Sequence, residues 1–312
     1  MITGINDDGR RLDRVLRKSL PELPLSAIHR LLRKGAVLVD GEAASASQKI
    51  RAGQEIMILS SREDAKMQRE EQDIKNTLCA FALPYLPEGK SRDKIPEILY
   101  EDMDLLVLNK PAGLASHGEG SLEEQVRSYL APQLPPSLSF KPGPLHRLDK
   151  MSTGVIVFSK SLEGARFFST LMREQKIKKF YLALAEGEVK KSGLWQDDLV
   201  IKDREKENTK TAITRVKPLF TNSAYSLVLA EIQTGRTHQI RAQAAARGHP
   251  LWGDKKYGGR PCKESFLLHA WRLEFPQDTA LPAMIEAPLP QRFKTAINEF
   301  FPIVRQNGEN IL

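Results

Sequence analysis

PLHRLDKMSTGVIVFSK, residues 144–160, is a polar loop that runs directly into an apolar strand. His146, Arg147, Asp149 and Lys150 crowd the loop, and Ser152, Thr153 and Gly154 end it. The run Val155-Ile156-Val157-Phe158 is β-branched and aromatic, the composition of a strand buried on both faces. Reactive side chains presented on a loop by a rigid strand are a common way to hold a nucleophile. An aspartate is ionised at neutral pH without a base to activate it. A carboxylate can also form a covalent intermediate. Taken alone, the same residues read better as a structural pair between Asp149 and Arg147, the usual role of an aspartate near an arginine.

Outward from this segment the chain alternates. LLVLNKPAGL (105–114) reads as a strand entering a Pro-Gly turn. SLEGARFFSTLMREQ (161–175) reads as an amphipathic helix with Leu162, Ala165, Phe168, Leu171 and Met172 inward. FYLALAEGEV (180–189) and YSLVLAEIQTG (225–235) read as further strands. Interleaved strands and helices over residues 95–312 predict an α+β domain.

Residues 10–60 form a different region. They carry ten Lys and Arg against five Asp and Glu, which is +5 of the chain's net charge of +8 in 312 residues. Leu12, Val15, Leu16 and Leu20 recur at helical spacing, with Arg14, Arg17 and Lys18 on another face. A second helix is expected from Ser26 as N-cap, burying Ile28, Leu31 and Leu32 and showing Arg30, Arg33 and Lys34 to solvent. VLVDGEAA (37–44) reads as a strand entering an Asp40-Gly41 turn, and KIRAGQEIMIL (49–59) as turn and strand. A charge run is usually a solvated face. Two aligned basic faces holding most of the excess charge favour a polyanionic partner, RNA or DNA.

SREDAKMQREEQDIKN (61–76) mixes signs with few apolar residues, so 63–94 is expected to be a linker between a first domain, 1–62, and a second, 95–312. Cys79 and Cys262 are isolated and read as small buried hydrophobes. His117, His146, His238, His249 and His269 lack the i, i+4 spacing of a helical zinc pair and have no cysteine cluster beside them, so no metal is expected. Trp252 and Trp271 read as packing residues, and YGGR (257–260) as a turn. No apolar run reaches about 18 residues, and the N-terminus lacks a leader-like apolar core, so a cytoplasmic location without a membrane partner is expected. Oligomeric state is silent in the sequence and defaults to monomer.

HRLDKMSTG (146–154) resembles the HRLDxxTSG motif of the RluA-type RNA pseudouridine synthases. NKPAGLASHG (109–118) resembles that family's first motif, KKFYLALAEG (178–187) its K-x-Y-x-A motif, TGRTHQIRAQAAARGHPLWGDKKYGG (234–259) its third, and FLLHAWRLEF (266–275) its closing strand. Five motifs in family order are far more specific than one. The basic segment is similar to an S4 RNA-binding module. The resemblance implies a pseudouridine synthase fold, a mixed and largely antiparallel central sheet flanked by helices and loops, with a small α/β S4 domain before it.

The resemblance also implies an isomerase that converts uridine to pseudouridine in RNA, with no cofactor. Asp149 would be its nucleophile, Tyr181 its active-site tyrosine, and Arg241 the arginine paired with the aspartate, with Arg236 the weaker alternative. The segment opening at Gly235 and Thr237 reads as a helix closed by Gly248 and Pro250, placing His238 and Arg241 on one face. His146, Arg147, Ile240, Arg236 and His238 are the candidate substrate contacts. Arg147 would fill the space left by a flipped nucleotide, Tyr181 would stack on or hydrogen-bond the uracil, and Ile240 would pack against it. An S4 module goes mostly with large-subunit modifiers, so 23S ribosomal RNA or a large-subunit precursor is the expected partner. The alternatives are a tRNA synthase of the same type and a non-catalytic RNA-binding or ribosome-assembly factor. Three positions depart from the family pattern: Met151 in place of Asp or Asn, Ser152-Thr153 in reversed order, and Gln243 in place of His. They bear on fine substrate preference more than on the reaction.

Overall fold

The computed structural model describes residues 1–59, 95–203, 206–263 and 265–302, with backbone only at 201–203 and 206–208. The expected linker at 63–94 and Cys79 lie outside the described residues. The described chain falls into two compact units. One holds 1–59 with 126–142 and 161–163, and the other holds 95–125, 143–160 and the described residues from 164 onward.

In the first unit, helix α1 (Leu12–Ser19) and helix α2 (Leu25–Arg33) precede strands β1 (Val37–Val39), β2 (Glu42–Ala43) and β3 (Ile56–Ile58). The strands form an antiparallel sheet in the order β2-β1-β3. Leu12, Val15, Leu16, Ile28, Val37, Ile50 and Ile56 make the core, the apolar stripes anticipated from the spacing. Asp40 and Gly41 both have positive φ, 51° and 86°, as a tight hairpin turn requires. Ser26 is not the cap of α2. Pro24 is, in extended geometry with no side-chain cap bond, and its carbonyl accepts the N–H groups of Ala27 and Ile28. The fixed proline φ already sets the chain for helix entry.

Segment 126–142 belongs to this unit through Leu138, which packs on its core, and through Asp7. The Asp7 carboxylate accepts from Ser137 Oγ at 2.9 Å, from the N–H of Leu138 at 2.9 Å and of Ser139 at 3.0 Å, and from Ser139 Oγ. Burial alone would raise its pKa. The hydrogen bonds from Ser139, Gly4, Leu138 and Ser137 outweigh that and hold it below the usual range.

The second unit is built on one mixed sheet. Its strands are β4 (Ile98–Glu101), β5 (Leu105–Lys110), β6 (Gly143–Pro144), β7 (Thr153–Ser159), β8 (Lys178–Glu186), β9 (Gly193–Asp203), β10 (Lys206–Thr221), β11 (Tyr225–Ile232), β12 (Leu268–Glu274) and β13 (Met284–Glu286). The main path runs β4-β5-β7-β12-β8-β11-β10-β9, with β6 on β7 and β13 on β12. The β7–β12 pair is parallel and the other recorded pairs in this sheet are antiparallel. Helix α3 (Leu162–Arg173) lays Phe168 and Leu171 against Val107, Val155 and Val157. Helix α5 (Gln291–Phe300) lays Phe293 and Ile297 against Leu182, Leu184, Leu227 and Trp271, after helix α4 (Gln239–Ala246). Alternate residues of the strands thus feed two apolar layers. The long β9–β10 hairpin was not among the elements read from the sequence, because its mixed polar composition carries little periodicity. Trp252 and Trp271 pack in the second layer, as expected. Cys262 is only half-buried. Its Sγ faces the Ser265 carbonyl and the Arg292 guanidinium, so it is not a simple core hydrophobe.

Candidate active site

Asp149 sits in a tight turn in which the Ser152 N–H donates to the Asp149 carbonyl at 3.0 Å. The turn is pinned by the segment that follows β5. Lys110 is fully buried, and its ammonium donates to the carbonyls of Leu114 at 2.7 Å, Pro111 at 2.9 Å and Lys150 at 3.1 Å. Three acceptors match its three N–H groups. Burial lowers its pKa to about 8, against the opposing pull of the Asp149 charge. Ser116 Oγ both donates to the Leu148 carbonyl and accepts the Leu148 N–H, and the Gly113 N–H donates to the Lys150 carbonyl at 2.9 Å. On the far side, Thr153 Oγ1 lies 2.8 Å from His269 Nδ1, while His269 Nε2 lies 3.2 Å from the Ala287 carbonyl. The carbonyl needs a donor, so the proton is on Nε2 and Thr153 donates to Nδ1. Burial keeps this ring neutral, with a pKa of about 4.

Arg241 comes to Asp149 from α4. Its Nη1 donates to Asp149 Oδ2 at 2.8 Å. Its Nε and Nη2 donate to Asp254 Oδ2 at 2.7 Å and Oδ1 at 2.9 Å. The guanidinium lies over the Phe266 ring at 4.1 Å and the Tyr257 ring at 5.2 Å. Burial alone would lower its pKa. The hydrogen bonds to Asp254 and Asp149, together with their charges, raise it instead.

The segment before α4 folds differently from the expected helix. The helix starts at Gln239, and His238 caps it in the left-handed region at φ 54°. Gln239 is the cause. Its amide oxygen accepts the Arg236 N–H and the Thr234 hydroxyl, and its amide nitrogen reaches Ile213 O and Thr214 Oγ1, which closes the loop. His238 Nε2 therefore faces Asp149 Oδ1 at 3.8 Å. Tyr257 Oη and Lys256 Nζ both approach His238 Nδ1, at 3.2 and 3.4 Å. Burial depresses this histidine, with the Asp149 charge opposing.

Tyr181, on β8 between Ala230 and Ala270, is buried. Burial and then the Asp149 charge push its phenol above the ordinary range, so it is protonated at neutral pH. Ile240 is buried on the first turn of α4. Arg147 is exposed, with no hydrogen-bond partner recorded among the described residues. Arg236 donates from Nε to the Thr211 carbonyl and not to Asp149. His146 is engaged with the scaffold. Its Nε2 accepts the Val157 N–H, its ring stacks on Phe168, and burial with the Lys179 charge lowers its pKa to about 4. Gln243 is fully buried and bonds Thr214, Asp197 and the carbonyls of Trp195 and Ala212, tying α4 to the β9–β10 hairpin. That departure from the family pattern serves packing. Asp254, Lys110, Tyr257 and Gln239 were not singled out from the sequence, although all four lie inside or beside quoted motifs.

In the first unit, Arg14, Arg17 and Lys18 come together with Arg10 around a groove floored by Pro21, Leu23, Pro24 and Leu25. Arg30 and Arg33 of α2, and Lys34 just past it, are exposed but do not line it.

Two family profiles match separate stretches of the chain. The profile of the RNA pseudouridylate synthase family matches residues 104–246, and that of the S4 domain matches 10–56. The ribosomal large subunit pseudouridine synthase C of Vibrio vulnificus (strain CMCP6) is 30% identical over 95% of this chain and 95% of its own. The protein of that name from Escherichia coli (strain K12) is 31% identical over 94% of each. The ribosomal large subunit pseudouridine synthase D of Nitrosomonas europaea is 31% identical over 90% of this chain and 82% of its own. Among solved structures, human RNA pseudouridylate synthase domain containing 4 shares the fold at a TM-score of 0.55 and 23% identity, covering 64% of this chain and 91% of that one.

Proposed function

The chain belongs to the RNA pseudouridylate synthase family, and from that premise we propose that it isomerises specific uridines to pseudouridine in 23S ribosomal RNA or its large-subunit precursor. The relatives' names support the substrate. The observation that carries the chemistry is an aspartate on a pinned turn, held by a buried arginine beside a buried tyrosine. In the reaction the C1′–N1 bond breaks, the uracil turns, a C1′–C5 bond forms, the C5 proton leaves and N1 takes up a proton, so that substrate and product remain isomers.

Asp149 is the nucleophile of this reading, whether it attacks the sugar or assists elimination. The target nucleotide must leave its stack to reach it, at a cost of a few kcal/mol. Arg147 fills the vacated space in this reading, which its exposure supports. Tyr181 supplies a protonated phenol and a ring face to the uracil, with Ile240 as apolar wall, and His238 offers a donor beside the carboxylate. His146 acts by shaping the loop. No cofactor or metal takes part. Among the described residues no helix is long and apolar enough to cross a membrane, and the reading places the enzyme, as a monomer, in the cytoplasm with its RNA.

The test is tritium release from RNA transcribed with 5-tritiated uridine. Large-subunit RNA, tRNA and an assembling large-subunit particle are offered in parallel. Release from the first or the third is expected. Release from tRNA alone would move the substrate to tRNA, and tight binding without release from any of them would favour the assembly-factor reading.

The basic groove yields a second prediction. Replacing Arg14, Arg17 and Lys18 with Ala is expected to weaken RNA binding and to reduce the slope of log K against log salt by about 2, since each lost phosphate contact removes about 0.7–0.9. An unchanged slope would remove these residues from the RNA interface. Substitution is a cleaner test than deleting 1–62, because Leu138 packs on the core that deletion would remove.

A further inference from the structure

We propose that Asp254 is a positioning residue for this reaction, holding the Arg241 guanidinium by one edge so that its opposite N–H is aimed at Asp149 without fully neutralising it. The inference rests on the reading of Asp149 as the reacting carboxylate.

The geometry is asymmetric. Asp254 takes two of the three hydrogen bonds that Arg241 makes to carboxylates, one on each oxygen, and Asp149 takes the third. Asp254 is almost wholly buried, whereas the Asp149 side chain is 22% exposed. A two-point fork fixes a guanidinium in its plane. The Arg241 Cζ also lies over the Phe266 ring and near the Tyr257 ring. Because the guanidinium is rigid, fixing its Nε and Nη2 edge also fixes the direction of the Nη1 N–H toward Asp149. Asp254 is itself fixed. Its N–H donates to the Leu251 carbonyl at 3.0 Å, and its own carbonyl accepts from Tyr257 at 3.1 Å and Gly259 at 2.9 Å. Gly259 packs so tightly there that a Cβ would fall 2.9 Å from the Asp254 nitrogen and 2.3 Å from the Leu251 carbonyl oxygen.

Charge gives the arrangement its sense. A buried carboxylate is costly unless paired, and one carboxylate is enough to pair one arginine. Here two carboxylates share one guanidinium and the trio carries a net charge of −1. Arg241 therefore orients Asp149 while half of its charge is committed elsewhere, which leaves the carboxylate less neutralised and more available to react. The other charged or titratable groups facing this cluster are His238, Lys256 and Tyr257 beside it, and Lys110 and Tyr181 acting through the Asp149 charge.

The experiment is tritium release by the full-length protein carrying Asp254→Asn, read as kcat, KM and the pH dependence of kcat, with melting as a fold control. The amide oxygen still accepts one of the two Arg241 bonds, its NH2 meets the other N–H and opens the fork, and the whole cationic charge returns to Asp149. The expected result is a kcat lower by about tenfold or more, a KM within about twofold of wild type, and an acid limb moved to lower pH. Asp254→Glu keeps the charge and displaces it, so its acid limb stays at the wild-type pH while kcat remains low. Wild-type kcat and acid limb in Asp254→Asn would overturn the inference, as would a kcat loss matched by a rising KM with the acid limb unmoved. If the Asn variant does not fold, Asp254→Glu decides, and a wild-type kcat in it would be fatal. Full activity in an Asp149→Asn control would instead sink the reading of Asp149 beneath the inference.

Discussion

Asp149→Asn is expected to release no measurable tritium, a loss of at least about 10⁴-fold in kcat or about 5 kcal/mol of transition-state stabilisation. The substitution keeps the shape of the side chain, and its amide oxygen can still accept from Arg241 Nη1, which lies 2.8 Å from the present carboxylate. What it removes is the charged nucleophile. Deleting one partner of a buried ion pair normally strands the other and unfolds marginal proteins. Here it should not, because Arg241 remains paired through two bonds to Asp254. The variant should therefore melt within a few degrees of wild type and bind RNA at least as tightly. That combination, dead but folded and binding, separates a chemical role from a structural one. Activity within tenfold of wild type would remove Asp149 as nucleophile.

Gly154→Ala is expected to damage the fold itself. Gly154 has φ +107°, and a Cβ built on it falls 2.1 Å from the Ala270 carbonyl oxygen and 2.7 Å from its carbon. Those atoms belong to β12, which pairs with β7 in parallel at Thr153 with His269 and at Gly154 with Ala270. Neither a backbone carbonyl nor a positive φ can yield cheaply, so a cost of about 3 kcal/mol or more is expected. At the scale of this chain that lowers the melting temperature by roughly 6–12 °C. Activity should fall with it, because the same junction anchors the end of the Asp149 turn through Thr153 and His269. A melting curve that overlays the wild type would show that the sheet can open here without penalty.

Local periodicity carried most of the architecture. The runs at Leu105, Val155, Tyr181 and Tyr225 all became strands of one sheet, joined by the Leu268 strand that motif resemblance had implied. The stripes around Leu12 and Ile28 became the first unit's core. Asp149, Tyr181 and Arg241 were named by motif order, which is a property of the sequence. Failures came where a neighbouring residue's backbone or hydrogen bonding overrode a plausible local signal. Ser26 has the chemistry of a cap, yet Pro24 supplies the turn. His238 has helical spacing to Arg241, yet Gln239 reaches back to Thr234 and across to Ile213 and starts the helix after it.

What the sequence by itself determined, then, is the helices of the first unit, the central strands and the Leu162–Arg173 helix of the second, the basic character of the first unit, and the aspartate and arginine that meet. Apolar period and motif order are written in neighbouring residues, so they survive without coordinates. Which group holds that arginine was decided only by the tertiary structure. The turn after α4 brings Asp254 back beside a side chain thirteen positions earlier. Nothing in the spacing distinguishes Asp254 from any other acidic loop residue, because pairing of a buried guanidinium depends on which carboxylate the folded chain places in the same dry space.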